Sequence, residues 1–396
     1  MEKINIWDNR VPVEKSSYLQ DDKITYFNLD SFEIEPDKLK MIDLFCGAGG
    51  FAEGCAWAGF QSVFGVDHLE PAMKTWIKNH PHGIGCLGDI AKLDPECIKK
   101  LLEEKGIYHI DLITGGVPCQ GFSIANRKHN DNDERNFLFM EYMKFVKVFM
   151  PPYIILENVS GMRSTAGGHF EQTIKEYMEE LGYTVSIKLV NAADYGVPQV
   201  RKRLLFVGVR NDNEIFMPYV FPEGSYKGKY RTVEEAISDL PSLQTREGNI
   251  LKGENVQEYM LPPQSEYQKR MRKDSLQVYN HIGSVPIEKT QKMIALVPEG
   301  KNYLALPDEY RGLYKYHEAL TRYHSKKPSL TINTGHRSHF HYKWNRIPTV
   351  RECARLQSFP DDFHFYGNQS AQFRQVGNAV PPMLGQVIAE QLKKYI

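Results

Sequence analysis

Short apolar segments alternate with helical patterns along the chain from about residue 40 to residue 210. The apolar segments are MIDLF, QSVFGV, DLITGG, YIILENV, TVSIKLV and RLLFVGV. Helices are predicted between them at FAEGCAWAG and near residues 71–79, 137–149 and 170–181. Strands that alternate with helices at this spacing predict an α/β fold with a mostly parallel, doubly wound sheet.

The alternation stops after Arg210. A stretch rich in Pro, Tyr, Lys and Gln then runs to about Arg346 without a clear period, which predicts a smaller second lobe. A helical pattern returns at 350–358, and a turn at Gly377-Asn378 and a closing helix from Pro381-Pro382 follow it. The predicted division is an N-terminal extension at 1–38, a main domain at 39–210, a smaller domain at 211–346 and a C-terminal segment at 347–396 that returns to the main domain.

Composition narrows the classes of protein to consider. The chain has 49 basic and 49 acidic residues, so any binding to nucleic acid requires local clustering of Lys and Arg. Its six cysteines form no CxxC pair, which argues against structural zinc and a disulfide framework, and we expect no metal. The N-terminus lacks an apolar signal core and no apolar run reaches about 18 residues, so we expect a cytoplasmic protein without membrane contact.

A glycine-rich turn follows the first strand of this pattern. The sequence DLFCGAGG, at 43–50, lies where a strand turns into a helix, and its glycines allow the backbone to approach a ligand closely. Asp67 ends the next apolar segment, where a carboxylate can accept hydrogen bonds from ribose hydroxyls, and Asp89 offers a second carboxylate. These features favour a nucleotide-like ligand such as an adenosine, although a purely structural turn and helix-capping aspartates stay open.

Cys119 is the candidate nucleophile. It follows the strand DLITGG, and ligands of an open α/β sheet lie at the carboxyl ends of the strands. Glu157 ends the next strand and therefore belongs to the same edge, where an unpartnered buried carboxylate would be costly without a function. Arg201 and Arg203 alternate onto one face as they lead into another strand. A small buried role for Cys119 and a surface role for the arginines are the alternatives.

Positive charge is concentrated in residues 311–346. This segment has eight Lys or Arg and one acid, Glu318, which is a local charge of +7 and leaves −7 for the remainder of a neutral chain. Six aromatic residues and five histidines are interleaved with the charges. Such a mixture suits phosphate contacts and packing on bases or sugars, which favours DNA contact over an ordinary solvated face.

The ordered set of motifs resembles the C5-cytosine-specific DNA methyltransferase family, from about residue 40 to residue 395. The motifs are DLFCGAGG, Asp67, GDI, GGVPCQGFS, ENV, QVRKR, RECARLQSFPDDF and GNAVPP, in the family's order. The resemblance implies a Rossmann-like fold that uses S-adenosylmethionine and a target-recognition domain at 211–346. It also implies that C5 of cytosine is methylated within a specific double-stranded DNA sequence.

The resemblance further implies which residues form the site. The residues implied at the cofactor are Phe45, Gly47, Gly50, Asp67, Asp89, Ile90, Pro118, Leu138, Asn378 and Ala379. Those implied at the flipped target base are Cys119, Glu157, Arg201 and Arg203. DNA contacts are expected from a polar loop at 122–136 that closes over the duplex, and from the basic segment. The expected DNA-contacting residues are Gln120, Ser123, Arg127, Lys326, Lys327, Thr331 and Arg337.

Three rival functions remain at this point. A tRNA cytosine-C5 methyltransferase would share the fold, but the chain lacks a short signature typical of those relatives. A NAD-linked oxidoreductase would explain only the glycine-rich turn and Asp67. A non-catalytic DNA-binding relative would not need both Cys119 and Glu157. The compact pattern is similar to bacterial modification enzymes, so we expect a monomer that works alongside a restriction endonuclease without a stable complex.

Overall fold

The computed structural model describes residues 24–118, 137–162, 169–212, 217–245, 250–308, 320–335 and 339–395. The chain forms two compact units. The first, which we call the sheet unit, comprises Met1–Val190, Lys202–Glu223 and Gly385–Ile396, and the second unit comprises Asn191–Arg201 and Gly224–Leu384. The domain boundaries expected from the sequence stay a prediction.

The sheet unit is built on one eight-stranded sheet. Its strands are β1 (Thr25–Phe27), β2 (Leu39–Leu44), β3 (Phe60–Asp67), β4 (Ile84–Leu87), β5 (Leu112–Gly115), β6 (Tyr153–Val159), β7 (Tyr183–Asn191) and β8 (Lys202–Arg210), in the spatial order β1-β4-β3-β2-β5-β6-β8-β7. The five central strands from β4 to β6 are parallel, whereas β1 runs antiparallel to β4 and β8 antiparallel to β6. The predicted α/β fold with a mostly parallel sheet is confirmed.

In the described part of the chain, five helices connect these strands. They are α1 (Gly50–Trp57), α2 (Glu70–Asn79), α3 (Pro95–Glu104), α4 (Phe137–Phe149) and α5 (His169–Glu180). The main core joins strand residues such as Ile113 and Leu156 to helix residues such as Tyr142, all of them buried. Glycine is required where Trp76 of α2 lies on the sheet, because a Cβ added at Gly65 would be 2.5 Å from the indole ring.

The second unit contains shorter elements. They are α6 (Val233–Ile237), β9 (Val256–Glu258), α7 (Glu266–Arg272), β10 (Gln277–Tyr279), α8 (Glu288–Leu296), β11 (Thr321–Arg322), β12 (His339–Phe340), α9 (Val350–Leu356) and α10 (Gln369–Asn378), followed by the first residues of α11 (Pro382–Leu392). The pair β9 and β10 is antiparallel, and the pair β11 and β12 is parallel.

The turn predicted at Gly377-Asn378 is wrong, because both residues belong to the last turn of α10. The side chain of Asn368 caps the start of this helix by accepting a hydrogen bond from the Ala371 amide at 2.9 Å. Glycine at 377 serves close packing instead of a turn, because an added Cβ would lie 2.8 Å from the Asn333 carbonyl group.

Buried arginines organise α9 and its surroundings. Arg346, Arg351 and Arg355 are each 0% exposed. Arg355 pairs with Asp361 at 2.5 Å and with Asp239 at 3.2 Å. These pairs matter because a buried charge without a partner would cost several kcal/mol.

Candidate active site

The glycine-rich turn between β2 and α1 has an unusual backbone. Phe45 and Gly47 both have φ of +54°, and Gly49, which precedes α1, has φ of +91°. Positive φ is easily adopted by glycine but costs energy for Phe45. A Cβ added at Gly49 would lie 2.5 Å from His80 Nε2, whereas one added at Gly47 would meet no atom of the described residues within 4 Å. Gly49 is therefore required by packing, and Gly47 leaves open space beside the turn.

Asp67 ties this turn to the end of β3. Its Oδ2 accepts a hydrogen bond from the Gly47 amide at 2.9 Å, and its Oδ1 accepts one from the Leu69 amide at 2.8 Å. Burial raises the pKa of this carboxyl group, and the hydrogen bonds from the backbone oppose that rise. Each carboxylate oxygen has two lone pairs, so Asp67 can accept further hydrogen bonds from a ligand.

Asp89 and Ile90 lie after β4. Asp89 is exposed and caps a short 3-10 helix at Ile90–Lys92 by accepting a hydrogen bond from the Ala91 amide at 3.0 Å. Ile90 is 4% exposed and belongs to the main core. Asp89 therefore has the helix-capping role that the sequence left open as an alternative. A role of Asp89 at the cofactor stays a prediction.

The remaining predicted cofactor residues are placed as follows. Gly50 is the first residue of α1 and is buried. Leu138 in α4 is partly buried against the main core, and Pro118 is also partly buried. In the second unit, Asn378 is exposed at the end of α10 and Ala379, which follows it, is partly buried.

Glu157 and Arg203 form an ion pair at one end of the sheet. Arg203 Nε lies 2.6 Å from Glu157 Oε1, and the two side chains are 10% and 14% exposed, respectively. The pairing of β6 with β8 brings the two residues close, since Val159 faces Arg203 and Glu157 faces Leu205. Gly116 lies beside them, where an added Cβ would be 3.3 Å from Glu157 Oε2. The carboxylate therefore lies next to the residue three positions before Cys119.

Asn158 and Arg201 have roles that the sequence pattern did not indicate. Asn158 is 2% exposed and donates a hydrogen bond to the Val117 carbonyl at 3.2 Å. Arg201 lies in the second unit and is 1% exposed. Its Nη1 donates to the Ile332 carbonyl at 3.2 Å and its Nη2 to the Gly377 carbonyl at 2.7 Å. A role for Arg201 at the target base stays a prediction.

The basic segment is only partly available to a ligand. Arg322 is 5% exposed and donates to four backbone carbonyls, including those of Ile294 at 2.6 Å and Val297 at 2.7 Å. Arg346 pairs with Glu352 at 2.6 Å in the interior. Two of the eight positive charges therefore stabilise the second unit itself, which the charge count could not show.

Three of the predicted DNA-contacting residues of this segment are described, and each is exposed or partly exposed. Lys326 and Lys327 are exposed, and Lys326 forms an ion pair with Glu234. The Thr331 hydroxyl donates to the Val200 carbonyl at 2.8 Å. The predicted residues Cys119, Gln120, Ser123, Arg127 and Arg337 lie outside the described residues.

Within the ranges given above, no group of three or more His, Cys, Asp or Glu side chains is arranged to hold a metal ion. No helix in the same ranges is long and apolar enough to cross a membrane.

The family described as C-5 cytosine-specific DNA methylase matches residues 39–394. The chain belongs to this family. The resemblance inferred from the motifs is thus confirmed, and this family member is a DNA cytosine-5-methyltransferase. Enzymes of the family depend on S-adenosylmethionine, which is therefore the implied cofactor.

Two relatives are similar along most of their length. The Type II methyltransferase M1.HphI of Haemophilus parahaemolyticus is 36% identical over 370 residues, which cover 93% of this chain and 90% of the relative. The Type II methyltransferase M.DdeI of Desulfomicrobium norvegicum is 34% identical over 380 residues, which cover 90% and 89%. This methylase therefore groups with the Type II methyltransferases of restriction-modification systems.

One solved structure agrees with this assignment, and a second one shares the fold. A crystal structure described as a DNA modification methyltransferase encoded within an E. coli prophage has a TM-score of 0.72 and 26% identity, and the match covers 90% of this methylase and 99% of that chain. The S. pombe Dnmt2 methyltransferase has a TM-score of 0.57 at 14% identity, also over 90% and 99%, and supports the fold alone.

Proposed function

We propose that this enzyme methylates C5 of cytosine within a specific double-stranded DNA sequence through a covalent bond between Cys119 and C6. The observation that carries the proposal is the Glu157–Arg203 pair, which lies beside Gly116 and so close in the chain to Cys119. The paired strand ends hold a carboxylate and a guanidinium where the family motifs assign the target base.

The covalent step follows from the chemistry of cytosine. C5 of cytosine is a poor nucleophile, and addition of a thiolate at C6 makes it enamine-like. The Cys119 sulfur forms the bond to C6, and the electrons of the C5–C6 π bond move toward C5. After methylation, a water or hydroxide removes the C5 proton and the C5–H electron pair re-forms the C5–C6 double bond. The S–C6 bond breaks in the same elimination and its electron pair returns to the sulfur.

Glu157 and Arg203 would hold the base during this sequence. One Glu157 carboxyl oxygen would accept a hydrogen bond from the exocyclic amine of cytosine, and the other, carrying a proton, would donate one to N3, while Arg203 beside it would orient the ring and offset negative charge. The target base must leave the duplex to reach this carboxylate, at a cost of a few kcal/mol. Contacts of Gln120, Ser123, Arg127, Lys326, Lys327, Thr331 and Arg337 with DNA would offset that cost.

The glycine-rich turn fits S-adenosylmethionine, which supplies an electrophilic methyl group when bound. Gly47 leaves open space beside the turn, and Asp67 retains lone pairs for ribose hydroxyls. The remaining positions proposed to line the cofactor are Phe45, Gly50, Asp89, Ile90, Pro118, Leu138, Asn378 and Ala379. This enzyme would protect host DNA from a cognate endonuclease, acting in the cytoplasm as a monomer without a stable complex.

The test begins by finding the target. Genomic DNA from a host with and without the gene is sequenced by a method that reads 5-methylcytosine, and one recurrent motif should be methylated only with the gene. The same DNA should resist an endonuclease that cuts the motif. A duplex and tRNA are then methylated in parallel with labelled cofactor, and label in tRNA alone would contradict the proposal.

The covalent step is tested with a duplex that carries 5-fluorocytosine at the target position. Fluorine cannot leave as a proton does, so the wild-type enzyme should stay bonded to the DNA. The Cys119→Ser variant should form no adduct but still bind S-adenosylhomocysteine. A persistent adduct in that variant would show that another residue is the nucleophile.

A further inference from the structure

Two side chains of the stretch 199–201 form hydrogen bonds with the backbone amide and the backbone carbonyl of Ile332. The Ile332 amide donates to Gln199 Oε1 at 3.0 Å, and the Ile332 carbonyl accepts from Arg201 Nη1 at 3.2 Å. Backbone bonds add to this grip, because the Ser329 amide donates to the Pro198 carbonyl at 2.9 Å. The segment 329–333 is thus firmly attached to the strand-like stretch 198–201 of the same unit.

The same two side chains also reach the end of α10. Gln199 Nε2 donates to Gln357 Oε1, and Gln357 Nε2 donates to the Ala379 carbonyl at 2.6 Å. Arg201 Nη2 donates to the Gly377 carbonyl at 2.7 Å. Two bridges therefore join Ile332 to the end of α10, one through two glutamines and one through a guanidinium.

Burial protects the hydrogen bonds of these bridges from competition with water. Gln199 and Gln357 are each 0% exposed and Arg201 is 1% exposed, so water cannot readily replace the bonds. A backbone donor at Ile332 and a backbone acceptor at Ala379 allow only one orientation for both amide groups. Buried chains of hydrogen bonds of this kind act as a unit, so loss of one member weakens the others.

We propose that Gln199, Gln357 and Arg201 are positioning residues that couple DNA binding to cofactor binding. The inference rests on the proposed function, in which segment 329–333 includes the DNA contact Thr331, and Asn378 and Ala379 line the cofactor site. DNA bound at Thr331 would restrain this segment further and, through the bridges, would also restrain Ala379. Binding of the cofactor then strengthens DNA binding by the same factor, as thermodynamic linkage requires.

Isosteric substitutions test the glutamine bridge. Gln199→Met and Gln357→Met keep the side-chain length but remove the amide groups, and the double variant removes both. The matched control is Gln268→Met, because Gln268 in the same unit is also 0% exposed and bonds to Ser238 Oγ at 2.9 Å and the Glu234 carbonyl at 3.3 Å. Thermal melting of each variant compares its stability with that of the control.

The measured quantity is the ratio of two affinities for S-adenosylhomocysteine, with and without a duplex that carries the methylated motif. We expect the duplex to raise the affinity of the wild-type enzyme by a factor in the range of about 5 to 150 that is typical of coupled sites. Gln199→Met and Gln357→Met should each lower this ratio by about tenfold or abolish it, and the double variant should lower it no further. Gln268→Met should retain the wild-type ratio.

An unchanged ratio in both bridge variants, or an equal loss in Gln268→Met, would overturn the inference. A second measurement needs no variant, so it decides the matter if the substitutions prevent folding. Addition of S-adenosylhomocysteine to the DNA-free wild-type enzyme should slow hydrogen exchange at Ile332, and unchanged exchange despite cofactor binding would refute the coupling. Methylation of the duplex is scored separately, so the proposed function can stand while the coupling fails.

Discussion

The carboxyl group of Asp43 lies near the end of β2 and is almost fully buried, with 3% exposure. The Thr114 hydroxyl donates to its Oδ1 at 2.8 Å. Burial raises the pKa of Asp43 to about 7, and the hydrogen bond from Thr114 opposes part of this rise. Asp67 adds a second negative charge nearby, which also favours the protonated form of Asp43.

This shift predicts a pH dependence of stability that Asp43→Asn should remove. The unfolded chain releases the Asp43 proton near pH 4, whereas the folded protein retains it to about pH 7. The contribution of Asp43 to stability therefore decreases as the pH rises from about 4 to about 7. The free energy of unfolding of the variant, relative to wild type, should rise by about 3 kcal/mol from pH 4.5 to pH 7 in urea titrations. The control Asp37→Asn, at an exposed position, should show no such trend. If the unfolding free energies of Asp43→Asn and wild type followed parallel curves against pH, the prediction would be contradicted.

Glu157 provides a test of catalysis at the level of one residue. Glu157→Gln retains the shape of the side chain but removes the charge that pairs with Arg203. We expect the single-turnover methylation rate to fall by roughly 10²–10³-fold, because one oriented charge that stabilises a transition state contributes on this order. Binding of S-adenosylhomocysteine should change little. The substitution Glu180→Gln at an exposed position is the control. A Glu157→Gln rate within about threefold of the wild-type rate would exclude this role for Glu157.

At the scale of elements, α1 depends on the backbone that precedes it. Gly49→Ala would place a Cβ at positive φ and 2.5 Å from His80 Nε2. We expect a loss of unfolding free energy above about 1 kcal/mol and weaker binding of S-adenosylhomocysteine, measured by urea titration and calorimetry. Gly161→Ala is a suitable control because its added Cβ meets no atom within 4 Å. Equal effects of the two substitutions would show that the turn tolerates side chains.

The helix α9 depends on a buried ion pair. Glu352 is 1% exposed, accepts hydrogen bonds from Arg346 at 2.6 and 2.7 Å and forms a capping box with Thr349. Arg346 holds the pKa of Glu352 well below its usual range, despite burial, which by itself would raise that pKa. The interaction therefore stabilises the second unit at neutral pH and weakens only as strong acid protonates the carboxylate.

Glu352→Gln should accordingly destabilise the protein strongly. It leaves the Arg346 charge buried without its counter-ion, which costs roughly 3–5 kcal/mol in comparable cases. Melting and urea titration of the variant measure this loss, and Glu390→Gln on the exposed side of α11 is the control. A loss below about 1 kcal/mol would mean that the interior reorganises around Arg346.

At the scale of the whole molecule, zero net charge makes DNA binding depend on a few local cations. Arg322 and Arg346 are buried in the second unit, so we expect exposed residues such as Lys326 and Lys327 to supply the proposed phosphate contacts. The +7 counted along residues 311–346 therefore overstates the charge available to DNA.

Lys327→Ala should reduce the salt dependence of DNA binding. Each phosphate contact contributes about 0.9 to the slope of log affinity against log salt concentration, so the slope should fall by about that amount. Fluorescence anisotropy at several salt concentrations measures it. Lys292→Ala, an exposed lysine of α8 outside the basic segment, should leave the slope unchanged. Identical slopes for wild type and Lys327→Ala would remove this residue from the interface.

Local patterns in the chain predicted most strands of the sheet, most of the helices between them and the family, but not β1, α3 or the short elements from Val233 to Phe340. The apolar period predicted α4 at 137–149 and β6 at 153–159 within a residue, because burial of one face imposes that period on neighbouring positions. The motifs likewise named Glu157 and Asp67, since their residue types and order reflect chemistry that only a few side chains can perform. The proximity of Glu157 to Gly116 also followed from strand topology.

Other features depend on the folded chain, because they join residues that are far apart in sequence. Arg201 bonds to Ile332 and Gly377, which are 131 and 176 positions away, and no local period encodes such partners. Burial of Arg322 likewise depends on carbonyls from distant segments, so its charge alone suggested a surface position. Local periodicity reports which face of an element is buried, whereas the partner of a buried polar group is set only when the chain has folded around it.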